Sequence, residues 1–196
     1  EVVVQTVAAS ACYVDSMIIG GKSPFEPPFA IGHEAVARVV DMGDQVTGLA
    51  LGDLVTVPYH RSCGFCVSCR GQRPLHCDNR EVPFIPSYGV PDGSDYGGMY
   101  SEMFRVPYAS QALLKIPSGI DPLAAVSVSD TLTDAWSTTV PHIQNKPEAK
   151  VLITSNAGYG LYAAQWALAA GASLVTYVDD DPVRNRVAKS LGADVV

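Results

Sequence analysis

Cys63, Cys66, Cys69 and Cys77 fall within fifteen residues, in the pattern C-x2-C-x2-C-x7-C. Thiolates this close can converge on one tetrahedral cation without help from distant parts of a fold. Gly64, Gly71 and Pro74 supply the turns that wrap a loop around an ion. Four soft sulfurs point to zinc in a closed, structural site, which leaves no position for a substrate. An iron–sulfur cluster is the main rival, but a ferredoxin run ends C-x3-C-P, whereas seven residues intervene here. Two disulfides are the remaining reading, one that suits small secreted domains better than a chain with a large apolar core.

A second set is less obvious: Cys12, the pair His33-Glu34, and Asp130. One thiolate, one imidazole and one carboxylate make a three-ligand zinc site with an open fourth position, the arrangement used in catalysis. Their separation in sequence leaves the bland readings in place. A lone His is more often a satisfied structural residue, a single Cys is a small apolar group, and Asp130 after Ser127-Val128-Ser129 could cap a helix.

The elements that must position these residues change character along the chain. Up to Asp121 the sequence is β-rich, with short runs at Val2–Val7, Ala35–Val40, Leu54–Val57 and Met99–Val106 between Gly, Pro and Asp turns. Pro83 to Gly98 reads as a surface loop. Asp121-Pro122 predicts a helix start, with apolar residues at helical spacing towards Trp136 and a boundary at Pro141 and Gln144–Pro147. Beyond lies strand, helix, strand, helix, strand: Val151–Ile153, Gly160–Ala170, Leu174–Val178, Pro182–Leu191, and Val195 onward. That alternation predicts a parallel sheet with crossover helices, too few strands to enclose a doubly wound core, and hence a fragment.

With 196 residues, 47% hydrophobic and 17% charged, the chain has the material for a sizeable core. A net charge of −7 argues against nucleic acid, because neutralising phosphates needs a basic face. No apolar run reaches the ~18 residues of a membrane span. Glu1 leads directly into Val2-Val3-Val4 with no leader pattern, which reads as a start in mid-structure. Thiolate ligands and an isolated Cys12 suit a reducing cytoplasm.

Pro28-Phe29-Ala30-Ile31-Gly32-His33-Glu34-Ala35, then Gly43 and Gly52-Asp53-Leu54-Val55, resembles the medium-chain, zinc-dependent alcohol dehydrogenase family. The four-cysteine loop follows where that family carries its structural zinc, and Val151–Val196 is similar to the start of its nucleotide domain. The resemblance implies a mixed β and α/β fold: a GroES-like, β-barrel-type catalytic domain over residues 1–128, then an incomplete Rossmann sheet over 129–196. It implies hydride transfer between an alcohol or aldehyde and a nicotinamide cofactor, in a homodimer or homotetramer. It makes Cys12, His33 and Asp130 the catalytic-zinc ligands across the junction of the two halves. Glu34 becomes an adjacent carboxylate that could also ligate, and Asp15 an acid that orients His33 through its other nitrogen. Family members commonly carry proton-relay groups where this chain has Val14 and Met17, which cannot relay, leaving Ser16, Tyr13 or water. Two alternatives follow: a non-enzymatic zinc protein of the same fold, or a zinc-free quinone-type reductase. The second is disfavoured because Cys12, His33, Glu34 and Asp130 coexist.

By the same resemblance the family's G-x-G-x-x-G corresponds to Ser155-x-Ala157-x-x-Gly160, with Gly158 as an extra glycine inside the turn. The third glycine lets helix pack on strand, and the helix N-terminus faces the phosphates. Asp179 lies about twenty residues further on, where ribose hydroxyls are read. It favours NAD over NADP, with Arg184 as a further ribose contact or, for NADP, a phosphate clamp. Asp181 caps the helix opened by Pro182.

Overall fold

The structure is a computed structural model, and it describes residues 1–80, 86–91, 96–146 and 148–196. Positions 83–85 and 92–95 of the expected loop, and Pro147 of the expected boundary, lie outside the described residues. Two compact units divide at Asp130/Thr131.

The first unit is an antiparallel sheet of five strands: β1 (Val2–Ala9), β2 (Ala35–Met42), β3 (Leu54–Val57), β4 (Met103–Val106) and β5 (Leu114–Lys115), in the order β4-β1-β2-β3-β5. Alternation in β1 and β4 sends Val2, Val4, Phe104 and Val106 into a core completed by Val39, Val55, Val57, Tyr88 and Met99. Each such valine contributes roughly 1.5–3 kcal/mol by leaving water. Strand β4 begins four residues later than the sequence predicts. The amides of Met99 and Tyr100 are spent on the carbonyls of Gly32 and Ile31, not on a ladder.

Helix α1 (Tyr13–Ile19) follows β1, α2 (Val67–Arg70) lies in the cysteine loop, and α3 (Ala109–Ala112) follows β4. The single helix predicted from Asp121 towards Trp136 is in fact three pieces. α4 (Pro122–Ala125), capped by Asp121, runs into a 3-10 turn over Val126–Ser129. Non-helical Asp130 then breaks the run before α5 (Thr131–Ile143). The predicted boundary at Pro141 falls inside α5, whose hydrogen bonding continues past it with Gln144 N–H donating to the Val140 carbonyl.

The break at Asp130 also moves the domain boundary two residues beyond the expected 128/129. Ser129 Oγ donates to the Ala35 carbonyl (2.7 Å) and accepts the Ala35 amide (3.0 Å), while the Ser129 carbonyl accepts Tyr59 N–H (3.1 Å). These bonds tie Ser129 to β2 and to Tyr59 just beyond β3, and Asp130 is the last residue of the first unit.

The second unit is a parallel sheet of β6 (Lys150–Thr154), β7 (Leu174–Val178) and the two-residue β8 (Asp194–Val195), in that order. Its crossovers are α6 (Tyr159–Ala169) and α7 (Pro182–Leu191), as the alternation predicts. Ala164, Ala167, Val175, Tyr177 and Ala188 form its core. Among the described residues, no helix is long and apolar enough to cross a membrane.

Candidate functional site

The cysteine loop is built from local turns. Cys66 caps α2 by accepting the Cys69 amide on its sulfur, and a clasp from Ser68 Oγ to Asp78 Oδ1 (2.7 Å) closes the loop behind it. All four thiols are free of disulfides, and their sulfurs lie within 4.8 Å of one another. Backbone amides point at them: Cys66 N–H at Cys63 Sγ, Cys63 N–H at Cys77 Sγ, and Asp78 N–H at Cys66 Sγ, each 3.4 Å; Asn79 Nδ2 adds a donor to Cys63.

Four thiolates this close repel. Burial opposes ionisation of Cys63, yet the amides of Phe65 and Cys66 and the Asn79 side chain bring it down to about 6. Cys69 is pushed up to about 12 by burial first and by Cys66, Cys77 and Cys63 beside it. A divalent cation among the sulfurs relieves that conflict, and the donor set and spacing fit zinc. The disulfide reading is excluded.

The second set converges too, and entirely within the first unit rather than across the junction. Cys12, His33 and Asp130 present ligand atoms within 4.8 Å of one another. Three local structures place them. Cys12 stands at the N-terminus of α1, where its N–H donates to Asp15 Oδ2 at 2.9 Å. His33 precedes β2, in a segment that crosses beneath Tyr100. Gly32 there has φ +97°, and a Cβ on it would lie 2.4 Å from the Tyr100 ring and 2.6 Å from its backbone nitrogen. Only glycine fits that backbone and that approach. Asp130 is set by the Ser129 bonds described above.

His33 is 7% exposed and Asp15 is fully buried. The imidazole has distinct partners on its two sides: Nδ1 lies 3.3 Å from Asp15 Oδ1, and Nε2 lies 3.4 Å from Asp130 Oδ2. Burial acts to lower the His33 pKa, but Asp130, Asp15 and Cys12 outweigh it and raise it to about 12. Asp15 is raised by burial, then brought below its ordinary value by His33, the Cys12 amide and Tyr100. Asp130, Asp15 and Cys12 thus surround the imidazole with groups that favour positive charge. The S, N and O donors suit zinc with an open position. Asp15 Oδ1, which has no hydrogen-bond partner among the described residues, stands within ion-pair distance of the far nitrogen of the ring, where metal-binding imidazoles carry such a group. Glu34, 1% exposed, lies beside the centre and accepts from Ser127 Oγ at 3.2 Å; it is outside the three-residue ligand group.

In the second unit, the turn Ser155–Gly158 joins β6 to α6. Ser155 Oγ donates to the Ala157 carbonyl (2.9 Å) and accepts the Ala157 amide (3.3 Å), which closes the turn that glycine would otherwise make. Gly160 is buried, and a Cβ there would lie 2.3 Å from Ser155 Cβ and 3.1 Å from the Tyr177 ring. That is the close helix–strand packing expected of a third glycine. Gly158, at the helix N-cap, faces open space.

Asp179 is more occupied than the sequence suggests. Oδ1 accepts from Arg184 Nη2 (2.7 Å) and the Asp181 amide (2.9 Å), and Oδ2 accepts from Arg184 Nε (2.7 Å) and Tyr177 OH (2.8 Å). The four acceptor positions of a carboxylate are thereby filled. The guanidinium holds Asp179 well below the usual carboxylate range. Asp181 caps α7, accepting the amides of Val183 and Arg184.

Sequence reasoning missed Ser127, Ser129, Tyr100 and His60 around the metal centre. His60 is half-buried, its Nδ1 has no hydrogen-bond partner among the described residues, and burial lowers its pKa against the pull of Asp130. Isolated hydroxyls and a single imidazole carry no spacing signal.

Two side-chain groups of the first unit, one of four cysteines and one of Cys12, His33 and Asp130, could each hold a metal ion, and a three-stranded parallel sheet follows in the second unit. The alcohol dehydrogenase GroES-like domain family matches residues 1–118, and the chain belongs to that family. It is 35% identical over 192 residues to a probable zinc-binding alcohol dehydrogenase of Mycobacterium tuberculosis, covering 98% of this chain and 48% of that protein. Among solved structures it resembles alcohol dehydrogenase TADH from Thermus sp. ATN1, with a TM-score of 0.86, 30% identity, and coverage of 100% of this chain and 55% of that one. It also resembles acetophenone reductase from Geotrichum candidum in complex with NAD, with a TM-score of 0.80, 27% identity, and coverage of 100% and 55%. The chain spans about half the length of the curated relatives it matches.

Proposed function

We propose that the whole protein is a zinc-dependent oxidoreductase that transfers hydride between an alcohol, or the matching aldehyde or ketone, and NAD. The observation that carries this reading is the convergence of Cys12, His33 and Asp130 with Asp15 behind the imidazole. Zinc, when bound there, supplies Lewis-acid polarisation of the substrate oxygen. The chain's own residues do the rest. Asp15 keeps the proton on Nδ1, so that a metal displacing the Nε2 proton would find that lone pair facing the centre. Cys12 and Asp130 add the negative charge that retains a divalent cation. The four-cysteine loop serves stability, since its four sulfurs leave no open position.

For the cofactor, the turn of Ser155, Ala157, Gly158 and Gly160 faces the pyrophosphate, and NAD is preferred over NADP. Arg184 is committed to Asp179 at 2.7 Å and flanked by Asp181 at 3.3 Å, so it is not free to clamp a 2′-phosphate. Asp180, with its side chain 92% exposed, adds a charge that repels one. Asp179 discriminates by charge and by fixing Arg184, and it reads a ribose hydroxyl only by exchanging a present partner. With Val14 and Met17 unable to carry a proton, the alcohol proton leaves through water or the exposed hydroxyls of Tyr13 and Ser16. The substrate is a small molecule, the compartment the cytoplasm, and the complete protein a homodimer or homotetramer.

The test is NAD and NADP reduction by the full-length protein across a panel of primary and secondary alcohols, before and after chelation. The reading predicts activity with NAD that is lost on chelation and restored by zinc. Turnover that survives complete metal removal contradicts it.

A further inference from the structure

We propose that Tyr100 is a positioning residue for the Cys12–His33–Asp130 centre: its hydroxyl fixes the rotation of Asp15 and, through it, the ring of His33 and the backbone at Cys12. The inference rests on the reading of that centre as a metal site.

Tyr100 is anchored from two sides. On one, its amide donates to the Ile31 carbonyl (3.2 Å), the Met99 amide donates to the Gly32 carbonyl (2.8 Å), and the ring lies against Gly32 where a side chain would otherwise stand. On the other, Thr6 Oγ1 in β1 reaches the carbonyls of Met99 (3.1 Å) and Ser101 (2.7 Å). The ring is thus held by the segment that carries His33 and by the central sheet. Its hydroxyl is delivered 2.9 Å from Asp15 Oδ2, across 85 residues of sequence.

Asp15 makes this contact consequential. Its carboxylate is fully buried, and Oδ2 takes two donors, Cys12 N–H and Tyr100 OH, both at 2.9 Å. Two donors on Oδ2 set the plane of the group and turn Oδ1 towards His33 Nδ1 at 3.3 Å. Remove the phenol and Oδ2 retains only the Cys12 amide, about which the carboxylate can pivot. The Ser10 carbonyl, 3.0 Å from the same hydroxyl, is a competing acceptor. A charged acceptor makes the stronger bond, so the single phenolic proton goes to Asp15. Burial, and then the charge of Asp15, raise the Tyr100 pKa, which keeps it a donor.

The experiment uses the full-length protein loaded with cobalt(II), whose visible spectrum reports coordination geometry, and compares it with Tyr100→Phe and Asp15→Asn. Tyr100→Phe keeps the ring on Gly32 and removes only the hydroxyl. The expected result is cobalt binding at the Cys12 centre weakened about three- to tenfold, with altered visible bands and the four-sulfur site unchanged. Asp15→Asn should weaken it about 10–100-fold, the usual cost of losing a group that orients a ligand. Unchanged affinity and bands in Tyr100→Phe while Asp15→Asn weakens binding overturn the proposal, as does a loss of thermal stability alone. No cobalt in the Cys12 centre of the unmutated protein, or no effect of Asp15→Asn, overturns the metal-site reading and the proposal with it.

Discussion

Cys63, Cys66, Cys69 and Cys77 bring four sulfurs together inside one loop, whereas Cys12, His33 and Asp130 are gathered from a helix start, a strand entry and the end of a 3-10 turn. The loop needs only its own turns and the clasp of Ser68 on Asp78. The second centre needs the sheet, because Ser129 must pin β2 and Gly32 must admit Tyr100 before the ligands can meet. A locally encoded site therefore stands or falls with its ion, and a site assembled by tertiary structure stands or falls with its scaffold.

The sharpest way to break this contrast is Cys66→Ser. Loss of a metal is among the few lesions that reach beyond about 4 kcal/mol, and chemical denaturation of the full-length variant should show a loss of that size. Next is Gly32→Ala. Its methyl would overlap the Tyr100 ring and backbone at a φ of +97°, so the variant should lose about 1–3 kcal/mol. It should also bind metal poorly at the Cys12 centre while the four-sulfur site stays filled. Metal loss from the cysteine loop in Gly32→Ala would remove the distinction between the sites.

The third test is in pH. A metal at the Cys12 centre must displace the His33 proton, so its affinity should rise about tenfold per pH unit for each proton released, below the raised pKa of about 12. Titrations at about pH 6 and about pH 8 would check it. The metal-free protein has the opposite sense. Charged His33 stabilises it fully below its unfolded value near 6.5, and that contribution is lost as pH rises towards about 12. Metal affinity independent of pH would contradict the proton's place in the site.

How much of this was legible in the sequence follows the same division. The cysteine spacing predicts its own convergence, and the strand–helix alternation after Val151 predicts the parallel sheet, because both signals are local in sequence. The Cys12 centre came from resemblance to a family, since no spacing relates Cys12 to Asp130. Tyr100 and Ser129 were invisible: their roles depend on which backbone the sheet brings opposite them. The long helix predicted from Asp121 failed for the same reason. Apolar spacing continues through Asp130, while bonds from Ser127 and Ser129 to Glu34 and Ala35 interrupt the helix. Asp179 differs in another way: a residue singled out as a ribose reader has its acceptor positions filled by Arg184, Tyr177 and Asp181, which spacing alone does not reveal.

The most direct measurement is zinc content of the full-length protein beside His33→Ala, by elemental analysis after exhaustive dialysis. Two centres with separate scaffolds predict about two zinc ions per unmutated chain and about one in the variant, retained by the four cysteines. A variant that keeps both ions, or loses both together, would contradict two independent sites.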